Sequence, residues 1–269
     1  MYRTHWGLRE APFRTTLDPR FYYSSPGHEE ALARLSFLTE EHRRLGICLG
    51  PTGSGKSLLL ELFARQARRA GSQVVNISLL GVDLHEFLWL LASDLGLSPG
   101  RDESEFTLWR SILDRLIENR YQQLDTVILL DDADGADPAV LETLVRLCEA
   151  DRTPSSRLTI VLATIPEQVR RLGERLLDLI ELRIDLEPWE ISDTIGYLNG
   201  ALRQAGRQDP TFTEDAIGRL HRLCDGIPRR IAQMANLALL AGAGQRLQRI
   251  DAANIESVYL ELGAISVAG

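Results

Sequence analysis

Five short apolar runs punctuate this chain, and between them apolar residues recur every three or four positions. The runs are Leu45-Gly-Ile-Cys-Leu49, Gln73-Val-Val-Asn-Ile-Ser78, Thr126-Val-Ile-Leu-Leu130, Leu158-Thr-Ile-Val-Leu-Ala163 and Ile180 to Leu186. Each has the length of a strand. The near-continuous apolar character of the third and fourth is that of strands covered by helices on both faces. Helical spacing follows the first run at Leu58-Leu-Leu-Glu-Leu-Phe-Ala64 and precedes it from Glu29 to Thr39. Leu84, Phe87, Leu88, Leu91 and Leu95 line one face of a helix that Asp83 opens, with Glu86 three residues on and Gly96 as its stop. Leu108, Ile112, Leu113, Leu116 and Ile117 make another such face after a polar loop, Pro99 to Glu105. Asp137-Pro138 is the start of a further helix, N-cap then proline at N1, with Leu141, Leu144, Val145 and Cys148 on its face.

Alternating strands and helices predict a parallel α/β sheet of five strands flanked by helices. After Glu187-Pro188 the strand pattern stops. Helical patterns occupy 190–205, 213–224, 228–242 and 251–262, with Gly206 and Gly226 as stops and Pro228 opening the third. This predicts two domains, an α/β core over 1–188 and a small all-helical lid over 189–269. Residues 1–30, rich in aromatics and prolines, hold two candidate turns at Asp18-Pro19 and Pro26-Gly27. There is no internal repeat and no low-complexity segment.

The chain contains one lysine, Lys56; every other one of its 30 basic side chains is arginine. That lysine sits in Gly50-Pro51-Thr52-Gly53-Ser54-Gly55-Lys56-Ser57, which matches the phosphate-binding pattern G-x-x-x-x-G-K-[ST]. A strand before the glycine turn and a helix after it, from Leu58, aim backbone N–H groups and a helix N-terminus at one point. A compact ammonium suits the β- and γ-phosphate oxygens better than a planar guanidinium does. Lys56 is thus the phosphate contact and the Ser57 hydroxyl the ligand to Mg²⁺.

The third run ends in Asp131-Asp132-Ala133-Asp134. A carboxylate there, about 75 residues after the loop, is placed to serve the phosphate-bound metal: Asp131 through water, with Asp132 as the base polarising the attacking water. Thr164 closes the fourth run, between the two nucleotide-binding strands, where its hydroxyl can orient that water. In Gly226-Ile-Pro-Arg-Arg230 an arginine opposes the helix dipole. That cost suggests an anionic partner, and Arg229 is the choice for a nucleotide phosphate.

Bulk properties narrow the classes. Net charge is −8, with no basic surplus of the kind a dedicated nucleic-acid binder carries. Cys48, Cys148 and Cys224 each lie in apolar patterns, which predicts free thiols in a reducing cytoplasm. His5, His28, His42, His85 and His221 show no metal-ligand spacing. No apolar run reaches the roughly 18 residues of a membrane helix, and no signal-peptide stretch opens the chain.

The chain resembles the AAA+ ATPases of the ExeA/GspA type. Met1-Tyr2, Trp6-Gly7-Leu8, Ala11-Pro12-Phe13, Leu17-Asp18-Pro19-Arg20-Phe21-Tyr22 and His28-Glu29-Glu30-Ala31-Leu32 match that family's N-terminal signature. The resemblance implies Walker A at 50–57, Walker B at 127–132, sensor 1 near Thr164, sensor 2 at Arg229, and Phe21 and Tyr22 on the adenine side of the core. It implies ATP with Mg²⁺, and a homo-oligomeric ring or filament in which an arginine crosses to the neighbour's γ-phosphate; Arg175 and Arg183 are the candidates. The family usually has Glu where Asp132 stands, and the side chain is shorter by about 1.5 Å, one C–C bond, which implies slow turnover. Three readings compete: an ATPase that assembles or remodels a secretion or envelope complex, a DNA-associated regulator of transposition type, and a nucleotide-gated scaffold with little turnover. Fuller members carry a membrane helix and a peptidoglycan-binding part that have no counterpart in this sequence.

Overall fold

A computed structural model describes residues 2–14, 22–151, 153 and 155–266, with side chains to 261. Phe21 and the Asp18-Pro19 turn lie outside the described residues. The chain divides into two compact units. One comprises residues 1–27, Gly53–Gly55 and 187–269; the other comprises 28–52 and 56–186.

The α/β unit is built on a five-stranded sheet: β1 (Leu45–Leu49), β2 (Gln73–Ser78), β3 (Thr126–Asp131), β4 (Leu158–Thr164) and β5 (Leu182–Asp185). Every pairing is parallel, in the order β2-β3-β4-β1-β5. Helices α2 (Pro26–Glu40), α3 (Lys56–Arg69), α4 (Leu84–Asp94), α5 (Glu105–Tyr121), α6 (Pro138–Ala150) and the short α7 (Glu174–Leu177) accompany it. Alternation along each strand divides the core. Ile47, Ile128 and Leu130 pack with α4, α5 and α6, while Cys48, Val127 and Leu129 pack with α2 and α3. Each face is covered, so β1, β3 and β4 are buried at every position and are mostly apolar. The edge strand β5 is shorter than the 180–186 expected; Leu179 and Ile180 instead pack against the core from the turn that precedes it. Its Arg183 and Asp185 face solvent and bond each other, an arrangement only an edge permits.

Caps follow the sequence. The Asp83 carboxylate accepts from the Glu86 N–H at 2.8 Å, and that of Asp137 from the Ala139 N–H with Pro138 at N1. The expected turn at Pro26-Gly27 is instead the first turn of α2, a position where proline's fixed φ and missing donor cost nothing.

The helical unit holds α1 (Tyr2–Trp6), α8 (Ile191–Gln204), α9 (Glu214–Leu223), α10 (Pro228–Gly244) and α11 (Ala252–Ser266). Residues 1–27 were expected in the α/β core, but their described part, 2–14 and 22–27, belongs to this unit. Trp6 is buried, its indole N–H donates to the Leu239 carbonyl at 2.8 Å, and the Arg207 guanidinium lies 5.0 Å from its ring. Phe13, Tyr197, Phe212, Trp189 and Tyr23 form an aromatic cluster beside it. A large ring buries far more apolar area against helices than the short α1 could gain elsewhere.

Candidate nucleotide site

A register common to the five strands brings their polar ends to one edge of the sheet. Ser78 is level with Asp131, and Thr164 is level with Leu49, the last residue before the glycine turn. Asp185 also pairs with Leu49 from the other side. In parallel sheets this carboxyl edge is where ligands bind.

From β1 the chain turns through Gly50–Gly55 into α3. Gly53 and Gly55 take φ of +88° and +106°, backbone that a residue with a β-carbon adopts only under strain. Lys56 and Ser57 form the first turn of α3. The Lys56 ammonium is buried and donates to the carbonyls of Gly50 at 2.7 Å and Pro51 at 3.3 Å. Burial lowers its pKa, and the Asp131 carboxylate opposes that shift.

Three aspartates stand at the end of β3 and just beyond it, and different hydroxyls bond the second and the third. Asp131 is 9% exposed; its burial raises its pKa, and the nearby Ser57 hydroxyl opposes that shift. Asp132 takes left-handed backbone, φ 51° and ψ 42°, and Asp132 Oδ2 accepts from Ser78 Oγ at 3.0 Å. Aspartate is among the few side chains that tolerate this conformation. The kink starts a 3₁₀ turn, Ala133–Gly135, in which Asp134 Oδ1 accepts from Thr164 Oγ1 at 2.6 Å. Asp131, Asp132 and Thr164 are site residues expected from the sequence; Ser78 and Asp134 are not. The Asp-x-x-Asp spacing was visible, but nothing in it says that the backbone reverses at Asp132.

Cys48 lies on β1, wholly buried, and burial pushes its thiol up to about 12; Cys148 and Cys224 are raised to about 12 for the same reason. All three stay protonated and unreactive at neutral pH. Among the described residues no group of three or more His, Cys, Asp or Glu could hold a metal ion, and no helix is long and apolar enough to cross a membrane.

The model of an AAA domain family (AAA_22) matches residues 39–172, the stretch that carries every residue of this edge up to Thr164. General secretion pathway protein A of Aeromonas hydrophila is 30% identical over 275 residues, covering all of this chain and 50% of that protein. The chain belongs to the AAA+ family, of the ExeA/GspA type. It spans about half the length of the curated relative it matches.

Solved AAA+ structures share its fold at low identity. The Aeropyrum pernix ORC1 protein in complex with DNA is 19% identical with a TM-score of 0.69, covering 91% of this chain and 68% of that one. Drosophila ORC bound to DNA is 16% identical with a TM-score of 0.71, covering 94% and 64%. The Thermotoga maritima RuvB Holliday junction branch migration motor is 14% identical with a TM-score of 0.60, covering 93% and 72%.

The remaining candidates of this AAA+ protein are dispersed. Arg229 lies in the first turn of α10; within its unit its backbone N–H donates to the Gly53 carbonyl at 3.2 Å, and its guanidinium is exposed. Tyr22 is half-buried in the same unit. Arg183 on β5 is held by Asp185, with Nη2 to Oδ1 at 2.8 Å. Arg175 on α7 is exposed and makes no hydrogen bond or ion pair among the described residues.

Proposed function

We propose that this protein is an Mg-ATP-dependent ATPase switch whose nucleotide state drives assembly or remodelling of a secretion or envelope complex. The observation that carries the ATP reading is the buried Lys56 at the head of α3, with Ser57 next to it and the buried Asp131 at the end of β3 interacting with it electrostatically. A hydroxyl and a carboxylate are hard oxygen donors suited to Mg²⁺, which is commonly held by one or two protein groups with phosphate and water completing its shell. Ser57 and Asp131 would hold the ion, which when bound neutralises charge on the phosphates. Lys56 would leave the loop carbonyls for the β- and γ-phosphates, and Arg229 remains the candidate for a further phosphate contact.

Hydrolysis then needs a water held by Asp132. Its oxygen forms a bond to the γ-phosphorus, and the bond from phosphorus to the β–γ bridging oxygen breaks, its electron pair leaving on ADP. The water's proton passes to Asp132 and from there to the phosphate. With the Asp132 carboxylate bonded to Ser78, turnover is slow until that bond opens.

Identity with the secretion relative over the whole chain supports a secretion or envelope partner, and the three buried free cysteines support a reducing, cytoplasmic location. The net charge gives no support to DNA as the partner. In the source organism, deletion of the gene should abolish export of a secreted protein, the parent gene should restore it, and the Lys56→Ala gene should not. Restoration by Lys56→Ala would sink the switch. Salt-sensitive, ATP-dependent binding to duplex DNA would favour the DNA-associated reading instead.

A further inference from the structure

Thr164 is fully buried at the end of β4, yet its hydroxyl proton is already spent. It donates to Asp134 Oδ1 at 2.6 Å, within the range of charge-assisted O–H···O⁻ bonds. A hydroxyl has one proton and two lone pairs. With that O–H committed to Asp134, the hydroxyl oxygen can otherwise only accept. A γ-phosphate oxygen is also an acceptor and gains nothing from it. Water is a donor and does.

Asp134 is free for this task because the left-handed Asp132 turns the chain. Asp132 is then directed to Ser78 and Asp134 to Thr164, while Asp131 stays buried at the end of β3. The third carboxylate has no part in metal binding or in taking the water's proton. We propose that Asp134 is a positioning residue that fixes Thr164 as a hydrogen-bond acceptor for the attacking water, and so withholds its hydroxyl from the γ-phosphate. This rests on the reading of the edge as an ATP site. Asp132 and Thr164 each accept one of the water's hydrogens, which leaves an oxygen lone pair for phosphorus.

The inference is tested by the ratio of dissociation constants for ADP and for a non-hydrolysable imido analogue of ATP, measured by calorimetry beside kcat. In the parent background Thr164→Val should leave that ratio unchanged within about twofold, because no bond to the γ-phosphate is lost, while kcat falls roughly tenfold or more. Asp134→Ala should release the hydroxyl to the phosphate and shift the ratio toward the ATP analogue by about threefold or more. Adding Thr164→Val to Asp134→Ala should remove that gain. Asp134→Asn keeps an acceptor oxygen for Thr164 and should hold the parental ratio, which also guards against misfolding of the alanine variant.

Selective weakening of the ATP analogue by Thr164→Val alone would overturn the proposal, since the hydroxyl would then already serve the phosphate. So would a gain in Asp134→Ala that survives Thr164→Val, since it would come from lost charge alone. A parent that binds both nucleotides but shows either result refutes only the positioning role. A parent that binds neither refutes the ATP site, and the positioning role with it.

Discussion

Ser78 Oγ donates to Asp132 Oδ2 at 3.0 Å, from the end of β2 to the residue just past the end of β3. The proposed base is therefore restrained by a neighbouring strand, in left-handed backbone, with a side chain one C–C bond shorter than glutamate. Asp132→Asn should keep ATP binding, tolerate φ 51° and lose hydrolysis by about tenfold or more. Asp132→Glu should raise kcat, because about 1.5 Å of added reach offsets the roughly 1 kcal/mol of strain that a left-handed glutamate carries. Steady-state phosphate release checks both, and unchanged rates in the two variants would mean that another residue holds the water.

Amine-reactive labelling should modify the N-terminus and Lys56 alone, since Lys56 is the sole lysine. Its burial and its bonds to the Gly50 and Pro51 carbonyls should make it slower than the N-terminus, and saturating Mg-ATP should slow it further. Peptide mass mapping reads both sites in one sample. Protection absent at saturating ATP would remove Lys56 from the phosphates.

Asp131 has a pKa raised chiefly by burial, so the folded state binds its proton more tightly than the unfolded state does. Stability on this account falls as pH rises from the ordinary aspartate range through the raised value, and the full cost of the buried charge is present above it. Asp131→Asn should therefore raise the Tm of the nucleotide-free protein at pH 7 by on the order of 2 °C. The advantage should shrink as pH falls toward the ordinary aspartate value. Scanning calorimetry at several pH values checks the sign, and a Tm lowered at pH 7 would show that the polar surroundings of Asp131 outweigh desolvation.

Arg175 and Arg183 are separable because Arg183 already has a carboxylate partner and Arg175 has none among the described residues. If one of them completes a neighbour's site, it should be Arg175. Arg175→Ala should lose ATPase activity and regain it when mixed with Lys56→Ala subunits, while Arg183→Ala stays within about twofold of the parent. Specific rate against protein concentration, with mass measured with and without ATP, supplies the control. A monomer with a concentration-independent rate would remove the shared site.

Trp6→Ala should destabilise the helical unit by about 3–5 kcal/mol, through lost burial and the loss of the bond to the Leu239 carbonyl. Urea unfolding followed by near-ultraviolet circular dichroism, where the aromatic cluster reports, should show the loss. An unchanged midpoint would mean that α1 is only loosely attached.

The sequence by itself determined most of the elements and the phosphate-loop pattern on which the ATP proposal rests. Five strands, the helix starts at Asp83 and Asp137, the lone Lys56 with Ser57, and Asp131 can be read along the chain because each depends on neighbours a few positions away. Apolar periodicity, caps and glycine turns are local constraints. Only the tertiary structure decided what depends on residues far apart in sequence. It placed β4 between β1 and β3, so that Thr164 stands beside Leu49 and its hydroxyl meets Asp134, 30 residues away. It reversed the backbone at Asp132, giving Ser78 and Asp134 partners that no spacing rule assigns. It also drew α1 into the helical unit, because the indole of Trp6 finds its buried surface and its acceptor there, on an element more than 200 positions further along the chain.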